Sequence, residues 1–256
     1  MNRADLHDLF DLTGRVAIVT GGSRGIGRSV AHGFAAAGAK VAVASRKAEA
    51  CEAVAGELTS GGSEAIAVAT HLGELDQVAA LVATTSDRLG GVDIVVNNAA
   101  NALAQPIGEI TPEAWDKSHA VNLRGPAFLV QEALPHLRVS DHGVVINVIS
   151  VGAWMYATGL SLYNSAKAGL LQLTRIMAAE LAPDGIRVNA LAPGSTDTDM
   201  LRNNPPEAQT RMAKMSLLGR LADPDELIGP AVFLASEASS YMTGHVLVVD
   251  GGLAPH

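Results

Sequence analysis

The sequence predicts an α/β fold: one doubly wound parallel sheet with helices on both faces, forming a single domain over residues 1–256. Three observations carry this. Short apolar runs alternate with longer segments of helical period along almost the whole chain. Several of the runs are continuous Val, Ile and Ala, as strands are when both faces of a sheet are covered. A glycine-rich turn directly follows the first run, at the junction of a strand and a helix.

Taken in order, the polar opening 1–13 reads as a surface arm, and 16–20 as a buried strand. The glycine turn leads into a helix that reaches Ala37 and is ended by Gly38. Residues 40–44 form the second strand, 47–58 a helix, 65–69 a strand, 75–89 a helix and 94–96 a strand. Two helices fill 112–137. The segment 144–149 is the next strand, 162–181 a long helix, 186–191 a strand and 245–249 the last strand. The stretch 194–221 is irregular, with Pro205, Pro206 and a short amphipathic piece carrying Met212, Met215 and Leu218. Long segments between elements often act as lids, and this one is read as a substrate-loop region.

Composition bounds the partners. The net charge of −8 argues against nucleic acid, while leaving room for a local basic site that takes one small anion. Cys51, the single cysteine, cannot pair within the chain, which fits a reducing cytoplasm. Residues 1–10 lack the apolar core of a secretory signal. No window approaches about 18 uninterrupted apolar residues, so no membrane span is expected. The eight histidines show no metal-ligand spacing, and no metal is expected.

The turn Thr20-Gly-Gly-Ser-Arg-Gly-Ile-Gly27 holds Gly21, Gly25 and Gly27, with Ser23, Arg24 and Ile26 between them. The spacing is wider than G-x-G-x-x-G, but the physics is shared: a tight turn, close backbone approach, and free helix N–H groups facing a pyrophosphate. The second strand ends in Ser45, Arg46 and Lys47, with no carboxylate before Glu49. A carboxylate there would bind ribose hydroxyls and select NAD, whereas the guanidinium of Arg46 can grip a 2′-phosphate. Arg24 could reach the same phosphate from the other side. The expected cofactor is NADP(H), with NAD(H) as the alternative if the two arginines are only solvated surface groups.

Tyr163 and Lys167 lie four residues apart, sharing one face of a helix, thirteen residues after Ser150. A free tyrosine titrates near pH 10, and a neighbouring ammonium is expected to lower that value. Tyr163 could then exchange a proton with a carbonyl or alcohol oxygen. Ser150, at a predicted strand end, could hydrogen-bond the same oxygen. Tyr156 and Tyr241 have no lysine four residues on.

With these pieces in place the chain resembles the short-chain dehydrogenase/reductase family, of its shorter type, from about Leu12 onward. The matching pieces are the turn 20–27, Asn97-Asn-Ala-Ala100, Asn122, Ser150, Tyr163 to Lys167, and Pro193-Gly194 with Thr198. The resemblance implies a Rossmann-type fold and a catalytic tetrad of Asn122, Ser150, Tyr163 and Lys167. Asn122 would hold a water linking Lys167 to solvent, and Lys167 would also bind the nicotinamide ribose. Pro193, Gly194, Thr196 and Thr198 would seat the nicotinamide end, and Asn98 and Ala99 would border the cofactor. Asn97 would stabilise the central strand. His71 and Leu72 would stand at the adenine, His71 replacing an aspartate common in the family. Members are commonly homotetramers or homodimers, here through 126–137 and 162–181.

The sequence is further similar to the NADP-dependent carbonyl and retinal reductase branch, although Leu253-Ala-Pro-His256 does not resemble a peroxisomal address. It departs from the family pattern at Ala100, where glycine is usual, and at Ile149, where a serine commonly precedes Ser150. Trp154 and Met155, with Met200, Leu201, Met212 and Met215, could line an apolar pocket. The expected activity is an NADP(H)-dependent carbonyl reduction or alcohol oxidation on a small apolar ketone, aldehyde or secondary alcohol. An NAD-dependent alcohol dehydrogenase and a catalytically idle cofactor-binding sensor are the alternatives.

Overall fold

The computed structural model describes residues 3–254. The first two residues of the expected arm and the last two of the C-terminal tetrapeptide lie outside the described residues. Seven strands form one parallel sheet in the order β3-β2-β1-β4-β5-β6-β7. They are β1 (Val16–Thr20), β2 (Lys40–Ser45), β3 (Ala65–Ala69), β4 (Ile94–Asn97), β5 (Val144–Val148), β6 (Arg187–Pro193) and β7 (Val246–Val249). The doubly wound sheet expected from the apolar runs is therefore the one observed.

Helices α2 (Gly25–Ala36), α3 (Ala48–Ser60), α4 (Leu75–Leu89), α5 (Pro112–His119), α6 (Gly125–Leu137) and α7 (Ser161–Leu181) follow the predicted rhythm, while α1 (Arg3–Asp8), α8 (Asp199–Arg202), α9 (Pro206–Met215) and α10 (Ile228–Ala235) are additional to it. Two apolar layers sandwich the sheet. One joins the strand residues Ala17, Val19, Val41 and Val43 to Phe34 and Leu234. The other joins Ile18, Val95 and Val145 to Leu81, Leu129 and Met177. Each fully buried Val, Ile or Leu contributes roughly 1.5–3 kcal/mol of transfer free energy, so this double covering is what continuous apolar strands are for.

Three local differences from the sequence reading have physical causes. Residues 4–13 are largely exposed, behind the start of the helical turn α1, but Leu12 is fully buried in the core and anchors them. The region 194–221 is not irregular throughout, since it contains α8 and α9. The two helices of 112–137 meet end to end through a π turn, Ala120–Arg124, in which Gly125 N–H bonds to Ala120 O. Pro126 is the reason an α-helix cannot run through: it has no N–H to give the carbonyl of Asn122, four residues earlier.

Gly125 also lies against the loop after β3. A Cβ there would run into the Leu72 carbonyl oxygen and stand 2.9 Å from Leu72 Cβ. The close approach fixes the start of α6, and with it the π turn, against the edge of the sheet. Gly125→Ala should therefore cost about 1–3 kcal/mol of unfolding free energy, measured by urea denaturation. A cost below about 0.5 kcal/mol would mean that the loop yields freely and does not position the turn.

Candidate active site

Chain reversal between β1 and β4 opens a crevice at the C-terminal ends of the strands, where sheets of this type bind ligands. The residues singled out in the sequence converge there: the turn after β1, Ser45 and Arg46 after β2, His71 after β3, Asn98 after β4, Ser150 after β5 and Gly194 after β6.

The glycine turn is built to exclude side chains. Gly21 and Gly25 have φ of 65° and 51°, the left-handed region that favours glycine. A Cβ on Gly27 would strike the Gly21 carbonyl and the Asn98 amide, and one on Gly21 would lie 2.7 Å from Asn98 Nδ2. Asn98 Nδ2 donates to Thr20 O (2.8 Å), and Thr20 Oγ1 accepts from the N–H groups of Asn98 and Ala99 (3.0 and 3.1 Å). Asn98 and Ala99 thus brace the turn from β4. Helix α2 begins at Gly25 without a side-chain cap, so its first N–H groups remain for a ligand. A backbone-walled cradle with free helical donors fits the pyrophosphate of a dinucleotide.

At the adenosine end, Ser45 Oγ donates to Ser23 Oγ (2.8 Å) and contacts Cys51 Sγ (3.1 Å), so this hydroxyl stitches β2 to the turn. Arg46 and Lys47 are exposed beyond it, and α3 starts at Ala48 with no side-chain cap. Arg24 is exposed too, but its Nη1 pairs with Asp199 Oδ2 at 3.1 Å. His71 Nδ1 accepts from Gly73 N–H (3.0 Å), which leaves Nε2 carrying the proton of the neutral ring. Leu72 puts its side chain in the core, and its carbonyl oxygen lies against Gly125.

Tyr163 and Lys167 share the inner face of α7. Lys167 is 2% exposed, and its Nζ donates to Val148 O at 2.7 Å. The same nitrogen lies 5.6 Å from the centroid of the Tyr163 ring. Burial draws the lysine down to about 8. It also pushes Tyr163 up to about 12, against the weaker opposing effect of a hydrogen bond with Ser150. The expectation that the ammonium lowers the tyrosine is thereby corrected for the free protein. The amine sits over the ring and at a carbonyl, and desolvation of the phenol decides the direction.

Ser150 Oγ accepts from Gly152 N–H (3.1 Å) in the short turn Val151–Ala153, so its own proton is free to point at the Tyr163 oxygen. Asn122 is fully buried, and both ends of its amide are engaged. Its Oδ1 accepts from Asn101 N–H (3.1 Å), while Nδ2 donates to Asn101 O (2.9 Å) and to Ser118 Oγ (3.1 Å). The side chain thus fastens the π turn to the loop after β4. Asn101, Ser118 and the Gly152 N–H escaped the sequence reading because nothing in their spacing marks them.

The region expected to face the substrate comprises the loop after Ser150 and the segment that carries α8 and α9. Asn164 Nδ2 donates to Met155 O (3.3 Å), pinning that loop to α7. Trp154, Met200 and Met215 are 41%, 42% and 57% exposed, whereas Leu201 is buried. Thr196 Oγ1 donates to Gly194 O (3.3 Å), and Pro193 closes β6 beside it. Thr198 rests on the glycine turn, its Cγ2 only 3.0 Å from where a Cβ of Gly25 would be.

A glycine cradle at the switch point, beside a half-buried Ser150 and Tyr163 and a buried Lys167, defines an oxidoreductase that works with a bound nucleotide. A family profile described as "Enoyl-(Acyl carrier protein) reductase" matches residues 21–254. Human dehydrogenase/reductase SDR family member 4 is 37% identical over 244 residues, 94% of this chain and 88% of that protein. A 3-oxoacyl-[acyl-carrier-protein] reductase of Synechocystis is 38% identical over 245 residues, covering 94% and 98%. The crystal structure of a gluconate 5-dehydrogenase from Burkholderia cenocepacia J2315, in complex with NADP and tartrate, superposes with a TM-score of 0.92 at 35% identity, covering 97% and 98%. The chain belongs to the short-chain dehydrogenase/reductase family.

The depressed lysine has a measurable consequence. Between about 8 and 10.5 the unfolded chain holds a proton on Lys167 that the folded chain does not, so stability rises with pH across that window. Lys167→Met lacks this gain. Between about pH 7 and about pH 9.5 the wild type should gain on the order of 2 kcal/mol relative to the variant in urea unfolding. A difference that does not change with pH would place the amine at its ordinary value.

Proposed function

We propose that this protein is an NADP(H)-dependent carbonyl reductase or alcohol dehydrogenase, acting on a small ketone, aldehyde or secondary alcohol with an apolar body. The observation that carries the proposal is the arrangement of Ser150, Tyr163 and Lys167 at the C-terminal edge of the sheet, with the phosphate cradle beside it. A bound nicotinamide supplies the hydride in reduction and takes it in oxidation. In reduction Tyr163 gives its proton to the carbonyl oxygen as the carbon gains the hydride, and the Ser150 hydroxyl holds that oxygen. Lys167, drawn by burial to about 8, can gain or lose a proton near neutrality and so restore the phenol. Asn122 keeps the wall of this pocket in place through the π turn.

The choice of NADP(H) rests on Arg46, which is exposed at the end of β2 with no hydrogen bond or ion pair among the described residues and no carboxylate beside it in the strand. The NADP-bound gluconate 5-dehydrogenase supports it as a relative. An apolar substrate body is the reading suggested by Trp154 and Met155 after Ser150 and by Met200, Met212 and Met215 in the segment after β6, all at least partly exposed. One observation favours an NAD-dependent dehydrogenase instead: Arg24, the second arginine, is already paired with Asp199.

Oxidation of NADPH and NADH should be followed in parallel against apolar ketones, aldehydes and 3-oxoacyl thioesters. Tyr163→Phe should lower turnover by about 10² to 10⁴-fold, with cofactor binding retained. Arg46→Ala should weaken NADPH roughly tenfold and leave NADH unchanged. Turnover confined to NADH would reject the NADP(H) assignment, and a Tyr163→Phe variant that keeps full turnover would reject the assigned proton donor.

A further inference from the structure

The Arg24–Asp199 pair joins two parts of the molecule that the cofactor must separate or bridge. Arg24 is the non-glycine residue at the N-cap of α2, in extended conformation with φ −164°. Asp199 opens α8, at the start of the substrate loop, directly after the Thr198 that packs on Gly25. Their contact, Nη1 to Oδ2 at 3.1 Å, ties the N-terminus of α2 to the start of α8.

The charges around the pair decide who holds Asp199. Arg202 lies nearby, but its nearest approach to Asp199 is 3.9 Å, from Nη1 to Oδ1. Its strong partner is Asp197, reached through Nε at 2.8 Å and Nη2 at 3.0 Å in a two-pronged bond. Asp197 thus neutralises Arg202, and the carboxylate of Asp199 is left mainly to Arg24. By contrast Arg46, the other cation beside the predicted 2′-phosphate, has no ion-pair partner among the described residues.

From this we infer that Asp199 is a specificity-determining residue for the cofactor: it competes with a 2′-phosphate for the guanidinium of Arg24 and so narrows the preference for NADPH over NADH. The inference rests on the NADP(H) reading above. A dianionic phosphate beside a guanidinium forms charge-assisted bonds that are stronger than those to a single exposed carboxylate. The phosphate therefore wins when present, but binding must first displace a carboxylate, and the remaining negative charge repels it. NADH makes no such demand on Arg24. Both partners are more than half exposed, so the effect is modest and screened by salt.

The test is equilibrium binding, read from nicotinamide fluorescence with no turnover, for the full chain and the variants Asp199→Asn, Arg24→Ala, the double variant and Arg46→Ala. Asp199→Asn should tighten NADPH about three- to fivefold relative to NADH at low salt. The gain should shrink at high salt and vanish in the Arg24→Ala background. An unchanged urea-unfolding midpoint and far-ultraviolet circular dichroism show that each variant is folded. An unchanged NADPH/NADH ratio in Asp199→Asn, or a gain that persists without Arg24, overturns the inference. If Arg46→Ala weakens NADPH selectively while Asp199→Asn does nothing, this inference alone fails. If neither substitution alters NADPH relative to NADH, the NADP(H) reading falls with it.

Discussion

A lysine amine held in a dry pocket is the constraint on which the rest of the site depends. Lys167 reaches the Val148 carbonyl because α7 crosses the sheet with that face inward, and because β5 ends at that residue, freeing its edge. An isolated ammonium in such a place is costly, and its proton becomes easier to lose. The same dryness keeps Tyr163 protonated in the free protein. Phenol and amine thus owe their states to one cause, the exclusion of water, rather than to mutual attraction across a salt-bridge distance.

Around this pocket the fold supplies rigidity where chemistry needs position. Asn97 donates to Asn147 (2.8 Å), and Asn147 in turn donates to Thr174 (2.9 Å), a buried polar chain that ties β4 and β5 to α7 beneath the site. The chain runs through the amide nitrogens, Asn97 Oδ1 being buried without a partner among the described residues, and it fixes the register of the elements that carry it. The π turn does comparable work on the other wall, with Pro126 preventing a straight helix and Asn122 locking the resulting bend to Asn101. The segment that opens α8, by contrast, is held to the cradle by Thr198 packing and by an exposed ion pair, a lighter attachment.

Much of this was legible in the chain. The strands could be found because double-sided burial leaves continuous apolar runs, and the Ser150, Tyr163 and Lys167 group because helical spacing puts residues four apart on one face. Helix α10 went unseen: Gly229 and Pro230 break the helical pattern of a short segment that is apolar on all sides. The π turn was invisible because its cause lies in one proline and in a close approach to Leu72, far off in sequence. The Arg24–Asp199 pair joins residues 175 positions apart, which no local pattern reveals. The direction of the Tyr163 shift was misjudged because spacing shows which groups are neighbours, not how little water reaches them.

The central claim, that desolvation sets the protonation of the pair, can be tested on Tyr163 directly. Tyr156 and Tyr241 are the other two tyrosines and both are fully exposed, so a Tyr156→Phe/Tyr241→Phe variant leaves one phenol to follow by its ultraviolet phenolate band. The account predicts that this phenol in the free protein stays protonated beyond about pH 10.5, where an ordinary tyrosine is largely ionised. Half-ionisation at or below about pH 10 would contradict it and return the leading role to the lysine charge.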